Sequence, residues 1–445
     1  MKSLKPHQTL ALDCMNSVTN MGIFFDPGTG KTVIALTWLR DALRDGRIDD
    51  ALVVVPAALV PNWQKDISEL VQFEHFTEDD VKLIQEKVTI RSYQKLYRTW
   101  KDEKIGRKRM ALREDVDKRW GAIIVDESHG LGGHSSIQTK ACLALAPLAK
   151  YRYIMTGTPI SGGTKSGGEA LDKLYGQFKF LDPNIWGTWT QWCKKYVLSF
   201  DRFFKPQRFD VDALHRIMAE KAISIRLEDC VPLPEEIRTT VPCPLEEKKV
   251  YADIRKGKTV PYEFEIKTSG GAWGKLRQVC SGMLKTDTET KRYKTSKDAA
   301  LEELLTGTDD KVVIFCWFTA SVDRCCEIAK KVGRNPVIFD GRSKGPTWRE
   351  FTEGDKDVVI AQYGSGGPGL NLQVSSTMIL FEPCLSTLLL KQSFARIKRI
   401  GQERAYRYIM LSTPGTVESK IWEDVLNGKD VTDATFDRWA QEGSI

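Results

Sequence analysis

The turn Asp26-Pro27-Gly28-Thr29-Gly30-Lys31-Thr32 combines residue types that hold phosphate. Gly28 and Gly30 admit backbone conformations barred to residues with a Cβ, so consecutive N–H groups can face one anion. Lys31 adds a mobile cation, the Thr32 hydroxyl suits a Mg²⁺ ligand, and a helix starting here turns its positive dipole end to the same anion. A second stretch is Asp126-Glu127-Ser128-His129. Adjacent carboxylates there can divide the work, Asp126 holding a metal ion through water and Glu127 orienting and deprotonating an attacking water. Gln8, in Leu4-Lys5-Pro6-His7-Gln8, carries an amide donor and acceptor that match the N6 and N7 edge of adenine; a plain surface glutamine is the other reading. Much later, Arg396 and Arg399 stand three apart in a stretch that predicts a helix and so share a face. Two guanidiniums there suit either a nucleotide bound elsewhere or a basic surface patch.

These groups need elements to position them. Residues 21–25 form a strand-type apolar run before the phosphate turn, and 33–43 an apolar helix stopped near Asp45-Gly46. Phe25 occupies the place of the first glycine in the fullest phosphate-loop pattern. Residues 51–56, 88–93 and 122–125 predict further strands and 59–70 a helix carrying Asn62 and Trp63, so the N-terminal part predicts a parallel sheet flanked by helices. The strand at 122–125 delivers Asp126 and Glu127 to the carboxyl end of that sheet, where open α/β sheets bind ligands. Tyr153-Ile154-Met155 leads into Thr156-Gly157-Thr158-Pro159, a turn whose hydroxyls either relay hydrogen bonds from a nucleotide site or simply cap the turn.

Residues 98–119 hold nine Lys/Arg and five Asp/Glu and break the strand–helix rhythm. They read as an exposed insertion, either a solvated helical face or a phosphate-contacting surface. Trp186, Trp189, Trp192 and Tyr196 recur at helical spacing and read as core-facing, with base stacking as the alternative. Residues 161–168 are a Gly/Ser/Thr/Lys-rich loop, and the polar, basic segment 267–297 reads as the connection between domains. A second α/β set follows, with strands at 312–316, 336–339, 358–361, 378–381 and 407–410. It lacks a phosphate loop and instead carries Gly364-Ser365-Gly366-Gly367-Pro368-Gly369-Leu370-Asn371-Leu372 and the Arg396 segment. Sixty-six Lys+Arg against 59 Asp+Glu give a net charge of +7, compatible with nucleic acid without requiring it. Ten scattered cysteines and five histidines suggest neither a zinc cluster nor a disulfide framework, and no apolar run long enough for a membrane span or signal region is present, so a cytoplasmic location is expected.

Taken in order, Leu-Lys-Pro-His-Gln, Asp-Pro-Gly-Thr-Gly-Lys-Thr, Val-Val-Pro-x5-Asn-Trp, Asp-Glu-Ser-His, Thr-Gly-Thr-Pro-Ile, Gly-Gly-x-Gly-Leu-Asn-Leu and Arg-Ile-Lys-Arg-Ile-Gly-Gln resemble the superfamily two helicase-like ATPases, and within them the Swi/Snf family of double-stranded DNA translocases. The resemblance runs from about Leu4 to Ile421, and the compact form is similar to bacterial or phage members. It implies an α/β fold of two RecA-like parallel-sheet domains in tandem, with a helical insertion and linker between them. The expected divisions are 1–165 for the ATP-binding domain, 166–230 for a helical extension, 231–295 for linker and crossover, 296–425 for the second RecA-like domain and 426–445 for a tail helix. It further implies ATP and Mg²⁺ as cofactors and nucleic acid as partner, most readily duplex DNA read without sequence preference. Carried over, Gln8 reads adenine, Pro27 to Thr32 and Gly369 bind nucleotide, Thr32 and Asp126 hold metal, and Lys31, Asp126, Glu127, Arg396 and Arg399 perform catalysis. The chain departs from the family at Gly130-Leu131-Gly132-Gly133, where a Lys-Asn pair is usual, and at Pro383-Cys384-Leu385-Ser386, in place of Trp-Asn-Pro. A strand-separating DNA or RNA helicase and a non-enzymatic ATP-switched clamp are the competing expectations.

Overall fold

The computed structural model describes residues 2–101, 108–160, 170–201, 204–257, 269–343, 347–364 and 370–442. The chain divides into two compact units, Met1–Pro232 and Leu233–Ile445. In the first unit the strands are β1 (Asn20–Phe25), β2 (Ala51–Val55), β3 (Val88–Ser92), β4 (Tyr97–Lys101), β5 (Lys108–Leu112), β6 (Trp120–Asp126), β7 (Ala149–Met155), β8 (Val197–Phe200), β9 (Pro206–Phe209) and β10 (Ala222–Ile225). Six of them form one parallel sheet in the order β10-β1-β7-β6-β2-β3, with Gly22 beside Ile154 and Ala51 beside Ala122.

The strands are continuous apolar runs because both faces of the sheet are covered. Ile23, Phe25, Val53, Val55 and Ile124 pack on one face against Trp38 and Leu39 of helix α2 (Lys31–Arg44) and Ala11 and Met15 of helix α1 (Pro6–Ser17). Phe24, Leu52, Val54, Ile123 and Val125 pack on the other against Leu174, Phe178 and Trp192. Each fully buried side chain of this size contributes about 1.5–3 kcal/mol.

Three expectations change in this unit. Residues 97–101 and 108–112 pair as antiparallel strands rather than forming a helical face: Tyr97, Met110 and Leu112 alternate onto the core, while Trp100 pairs across from Arg109 on the outer side. The segment 166–230 is not wholly helical, since the β8–β9 hairpin and β10, the edge strand beside β1, lie in it. The tryptophan cluster packs inward as expected, Trp186, Trp192 and Tyr196 being buried in the core, but the helix spans Trp189–Tyr196 and Trp186 joins the cluster from the preceding turn. The 161–168 loop lies outside the described residues.

The second unit has β11 (Glu236–Pro242), β12 (Met283–Lys285), β13 (Thr290–Arg292), β14 (Val312–Cys316), β15 (Pro336–Phe339), β16 (Val358–Gln362), β17 (Thr377–Leu380) and β18 (Tyr406–Ser412). Its parallel sheet runs β11-β18-β17-β14-β16-β15. The five strands expected here are all present, and β11 adds a sixth from the segment expected as linker. The division between units falls at Pro232/Leu233 and not within 267–297, because the helix Ser269–Cys280 buries Leu276, Val279 and Cys280 in this unit's core. The tail helix Asp433–Gln441 likewise anchors itself through Phe436 and Trp439. No described helix is long and apolar enough to cross a membrane.

Candidate nucleotide site

The phosphate turn leaves the carboxyl end of β1 and enters α2. Gly28 and Gly30 take the left-handed backbone, with φ of 87° and 85°, which a Cβ would strain. The turn is braced from α1. His7 Nε2 and Gln8 Nε2 lie 2.9 and 3.1 Å from the Thr29 carbonyl oxygen, and Gln8 Oε1 accepts from the Lys5 N–H at 2.9 Å. Gln8 is buried, 6% exposed, rather than a surface glutamine, and its amide is engaged at both ends, Nε2 holding the turn and Oε1 capping the start of α1. A Cβ at Gly30 would collide with this amide. The Thr29 hydroxyl donates to the Asp26 carbonyl at 2.8 Å, and the Asp26 carboxylate accepts from the Leu227 N–H at 2.9 Å, tying the turn to the chain after β10. Lys31 Nζ donates to the Phe25 and Asp26 carbonyls at 2.6 and 3.2 Å, so its ammonium sits over the end of β1. Thr32 is half-buried in the first turn of α2, where backbone N–H groups have no partner within the helix.

The acidic turn leaves the carboxyl end of β6, with only β7 between it and β1. Asp126 is buried, its Oδ2 accepting from the Trp63 indole N–H at 2.9 Å and its Oδ1 from the Glu127 N–H at 2.9 Å. Burial first and the Glu127 charge second push the Asp126 carboxyl up to about 6, against the pull of the Trp63 hydrogen bond and of Lys31. A desolvated carboxylate beside a second one is stabilised by a divalent cation, and one hydroxyl plus one carboxylate is the sparse donor set of a Mg²⁺ that keeps several waters, so Thr32 and Asp126 fit that ion.

Glu127 has φ of 50°, a left-handed conformation costing a non-glycine residue roughly 1–2 kcal/mol. The surroundings hold it there: the buried Tyr93 hydroxyl donates to the Asp126 carbonyl at 2.8 Å and reaches the Glu127 carbonyl at 3.3 Å. Its carboxylate lies 3.3 Å from His129 Nδ1 and 3.5 Å from the Thr156 hydroxyl, and His129 Nδ1 and Thr156 Oγ1 are 3.0 Å apart. Ser128 adds a second link, donating to Gln177 Oε1 at 2.8 Å while Gln177 Nε2 donates to the Pro159 carbonyl at 2.8 Å. The turn after β7 also touches the phosphate turn. A Cβ at Gly157 would stand 2.6 Å from Pro27 Cδ, so this approach requires glycine. Phosphate turn, hydroxyl turn and acidic turn are thus one connected assembly within the first unit.

In the second unit the helix Thr387–Phe394 ends before the arginines, so Arg396 and Arg399 do not share a helical face. They converge another way: Arg396 Nη1 and Arg399 Nη2 donate to the same Leu370 carbonyl at 3.3 and 2.8 Å, and Arg399 Nε donates to the Ala395 carbonyl at 3.1 Å. Arg396 is buried, 3% exposed. Gly369 lies outside the described residues.

Comparison with known proteins places this assembly. The model of the SNF2-related domain matches residues 7–298, more than half of the chain and including the phosphate, hydroxyl and acidic turns described above. The chain belongs to the SNF2-related family. The helicase conserved C-terminal domain matches residues 296–401, spanning Arg396 and Arg399. Similar proteins include a Mycoplasma pneumoniae protein named an uncharacterized ATP-dependent helicase, 26% identical over 90% of this chain and 38% of that protein. The DNA annealing helicase and endonuclease ZRANB3 of Homo sapiens is 22% identical over 86% of this chain and 36% of its own length. The chain therefore spans well under half the length of these two relatives. Among solved structures, the Sulfolobus solfataricus SWI2/SNF2 ATPase core in complex with dsDNA aligns over 99% of this chain and 93% of that one, at 22% identity and a TM-score of 0.41.

Four residues of this SNF2-related site were not singled out by their chemistry in the sequence. Trp63 was legible only as part of the Val-Val-Pro-x5-Asn-Trp signature, yet it holds Asp126. Tyr93 closed a predicted strand, and it braces the acidic turn from 33 residues away. His129 completes Asp-Glu-Ser-His and links Glu127 to Thr156. His7, beside Gln8, shares the Thr29 carbonyl.

Proposed function

We propose that this SNF2-related chain is an ATP-driven motor on nucleic acid, moving along duplex DNA without strong sequence preference. The observation that carries the proposal is the connected assembly of the first unit, in which Gly157 packs on the phosphate turn while the neighbouring Thr156 hydroxyl meets Glu127 and His129. A nucleotide-binding element and a base for hydrolysis are joined there by the packing of Gly157 on Pro27 and the hydrogen bonds of Thr156 to Glu127 and His129. The names of the relatives, an ATP-dependent helicase and a DNA annealing helicase, support the same reading.

The residues act in named roles. Backbone N–H groups of residues 28–32 and the Lys31 ammonium bind the phosphates, Lys31 exchanging its carbonyl partners for phosphate oxygens. Thr32 and Asp126 hold the Mg²⁺ that, when bound, neutralises charge on the phosphates. Glu127 orients the attacking water and takes its proton, and His129 and Thr156 fix the carboxylate. Gln8 reads the adenine edge, which requires its amide to give up one of its present partners, and Gly369 contributes to nucleotide binding. Arg396 and Arg399 leave the Leu370 carbonyl to stabilise charge on the transferring phosphate. Motion follows from any difference in nucleic-acid affinity between the ATP and ADP states.

The test compares ATP turnover with double-stranded DNA, single-stranded DNA and RNA, at several salt concentrations. The proposal expects the greatest stimulation by duplex DNA and a steep loss of binding with salt, since phosphate contacts dominate. Unwinding of a forked duplex would move the reading to a strand-separating helicase, and ATP binding without turnover to a clamp.

A further inference from the structure

We propose that the outward face of the β4–β5 hairpin is a second nucleic-acid contact, which stacks an unpaired base on Trp100 and engages its flanking phosphates with Arg98 and Arg109. The inference rests on the motor reading above and assigns that reading a specific surface.

The hairpin register separates its two faces. Tyr97, Met110 and Leu112 turn toward the core, so the alternation puts Arg98 and Trp100 on the opposite side of β4, with Arg109 directly across from Trp100. Directly opposed side chains in such a pair begin about 5 Å apart. Trp100 is 45% exposed although it belongs to a strand whose other face is well used, and Arg98 and Arg109 are exposed beside it. Arg98's ion pair with Glu114 is long, 3.9 Å, between two side chains that are 64% and 92% exposed, which leaves it little reason to hold that partner against a phosphate. The sequences of the two strands, Tyr-Arg-Thr-Trp-Lys and Lys-Arg-Met-Ala-Leu, contain four cations and no acid.

Charge and shape together select the occupant. A cationic fringe around an apolar ring complements a polyanion that carries flat aromatic faces, and an aromatic platform with flanking Arg is a sequence-tolerant binder of single strands. Within a duplex those faces are covered by stacking, so the ring meets a base only where the strands part or end. The position is also suitable. The hairpin springs from the carboxyl end of β3, the same end of the parallel sheet as the phosphate and acidic turns, and its root is closed by the Arg113 N–H donating to the Leu96 carbonyl at 3.0 Å. Tyr93, between β3 and that root, bonds the Asp126 carbonyl, so the base of the hairpin is fastened to the acidic turn.

The test measures binding of the full chain to a blunt duplex and to the same duplex with a single-stranded tail, by fluorescence anisotropy, for the unaltered protein, Trp100→Ala, Trp100→Phe and Arg98→Ala. Trp100→Ala is expected to bind the tailed duplex about tenfold more weakly and the blunt duplex within about twofold of the unaltered protein. Trp100→Phe should keep most of the tailed affinity, and Arg98→Ala should reduce the salt slope of tailed binding by about one. Unchanged binding of the tailed duplex by Trp100→Ala overturns the assignment, as does an equal loss on both substrates. If the unaltered protein binds the blunt duplex and hydrolyses ATP on it while Trp100→Ala matches it throughout, the hairpin inference fails and the motor reading stands; if it binds neither substrate, both fail.

Discussion

Replacing Trp63 with Phe removes one hydrogen bond from the site while keeping an aromatic ring beside it, and the structure sets the size of the effect. The indole N–H donates to Asp126 Oδ2 at 2.9 Å, with Trp63 only 2% exposed and Asp126 7% exposed, so water cannot readily replace it. A bond from a neutral donor to a charged acceptor contributes about 1.5–3 kcal/mol. At 1.36 kcal/mol per pKa unit, its loss raises the Asp126 carboxyl by about one to two pKa units. That carboxyl already stands at about 6, so the substitution brings its titration to neutral pH or above and leaves a large protonated fraction at pH 7. The assay is a Mg²⁺ titration of ATP turnover. At neutral pH the variant should need about tenfold more Mg²⁺, and raising the pH should restore the unaltered requirement as Asp126 ionises.

The same shift predicts a stability profile. Because the folded pKa lies above the ordinary 3.8, the contribution of Asp126 to stability is fully present below that value and is lost as pH rises through about 6. In Trp63→Phe the loss extends to higher pH, so its destabilisation relative to the unaltered protein should grow between acid and neutral conditions, on top of a pH-independent packing loss. An unchanged Mg²⁺ requirement, or a defect that higher pH leaves untouched, would refute the assignment of Trp63 as the group that keeps Asp126 ionised.

Glu127→Gln should bind ATP normally and lose turnover by at least about a hundredfold, measured by equilibrium binding beside steady-state hydrolysis; surviving turnover means that another group takes the proton. Gly157→Ala must displace Pro27 or the hydroxyl turn, since the new Cβ would lie 2.6 Å from Pro27 Cδ. It should weaken ATP binding and slow hydrolysis together, and normal values for both would show that the two turns work independently. Arg396→Ala should lower kcat by about a hundredfold or more with a smaller change in KM, the signature of a group acting on the transition state; a loss confined to KM contradicts that role.

The sheets were legible because their interior strands are unbroken apolar runs buried on both faces, as at 51–55 and 312–316. The edge strands were not. Ala222–Ile225 is short and Glu236–Pro242 half-exposed and rich in Thr and charge, so each resembles a linker until a neighbouring strand supplies its hydrogen bonds. Residues 98–119 misled through charge, because alternation over five-residue strands is a weak signal beside nine cations. Arg396 and Arg399 followed an apolar helix with nothing in their types to mark its end at Phe394. Within the site, the phosphate and acidic turns declared themselves by local pattern, whereas Trp63, Tyr93 and the Gly157 contact depend on distant chain segments that no local spacing reports.

The proposed motor converts ATP turnover at the Lys31 and Glu127 site into movement along a duplex. Displacement of a third strand from a DNA triplex tests it most directly, with the unaltered protein and Lys31→Ala compared in ATP. The unaltered protein should displace the third strand in ATP and Lys31→Ala should not; duplex-stimulated hydrolysis without displacement, or equal displacement by both proteins, would overturn the proposed function.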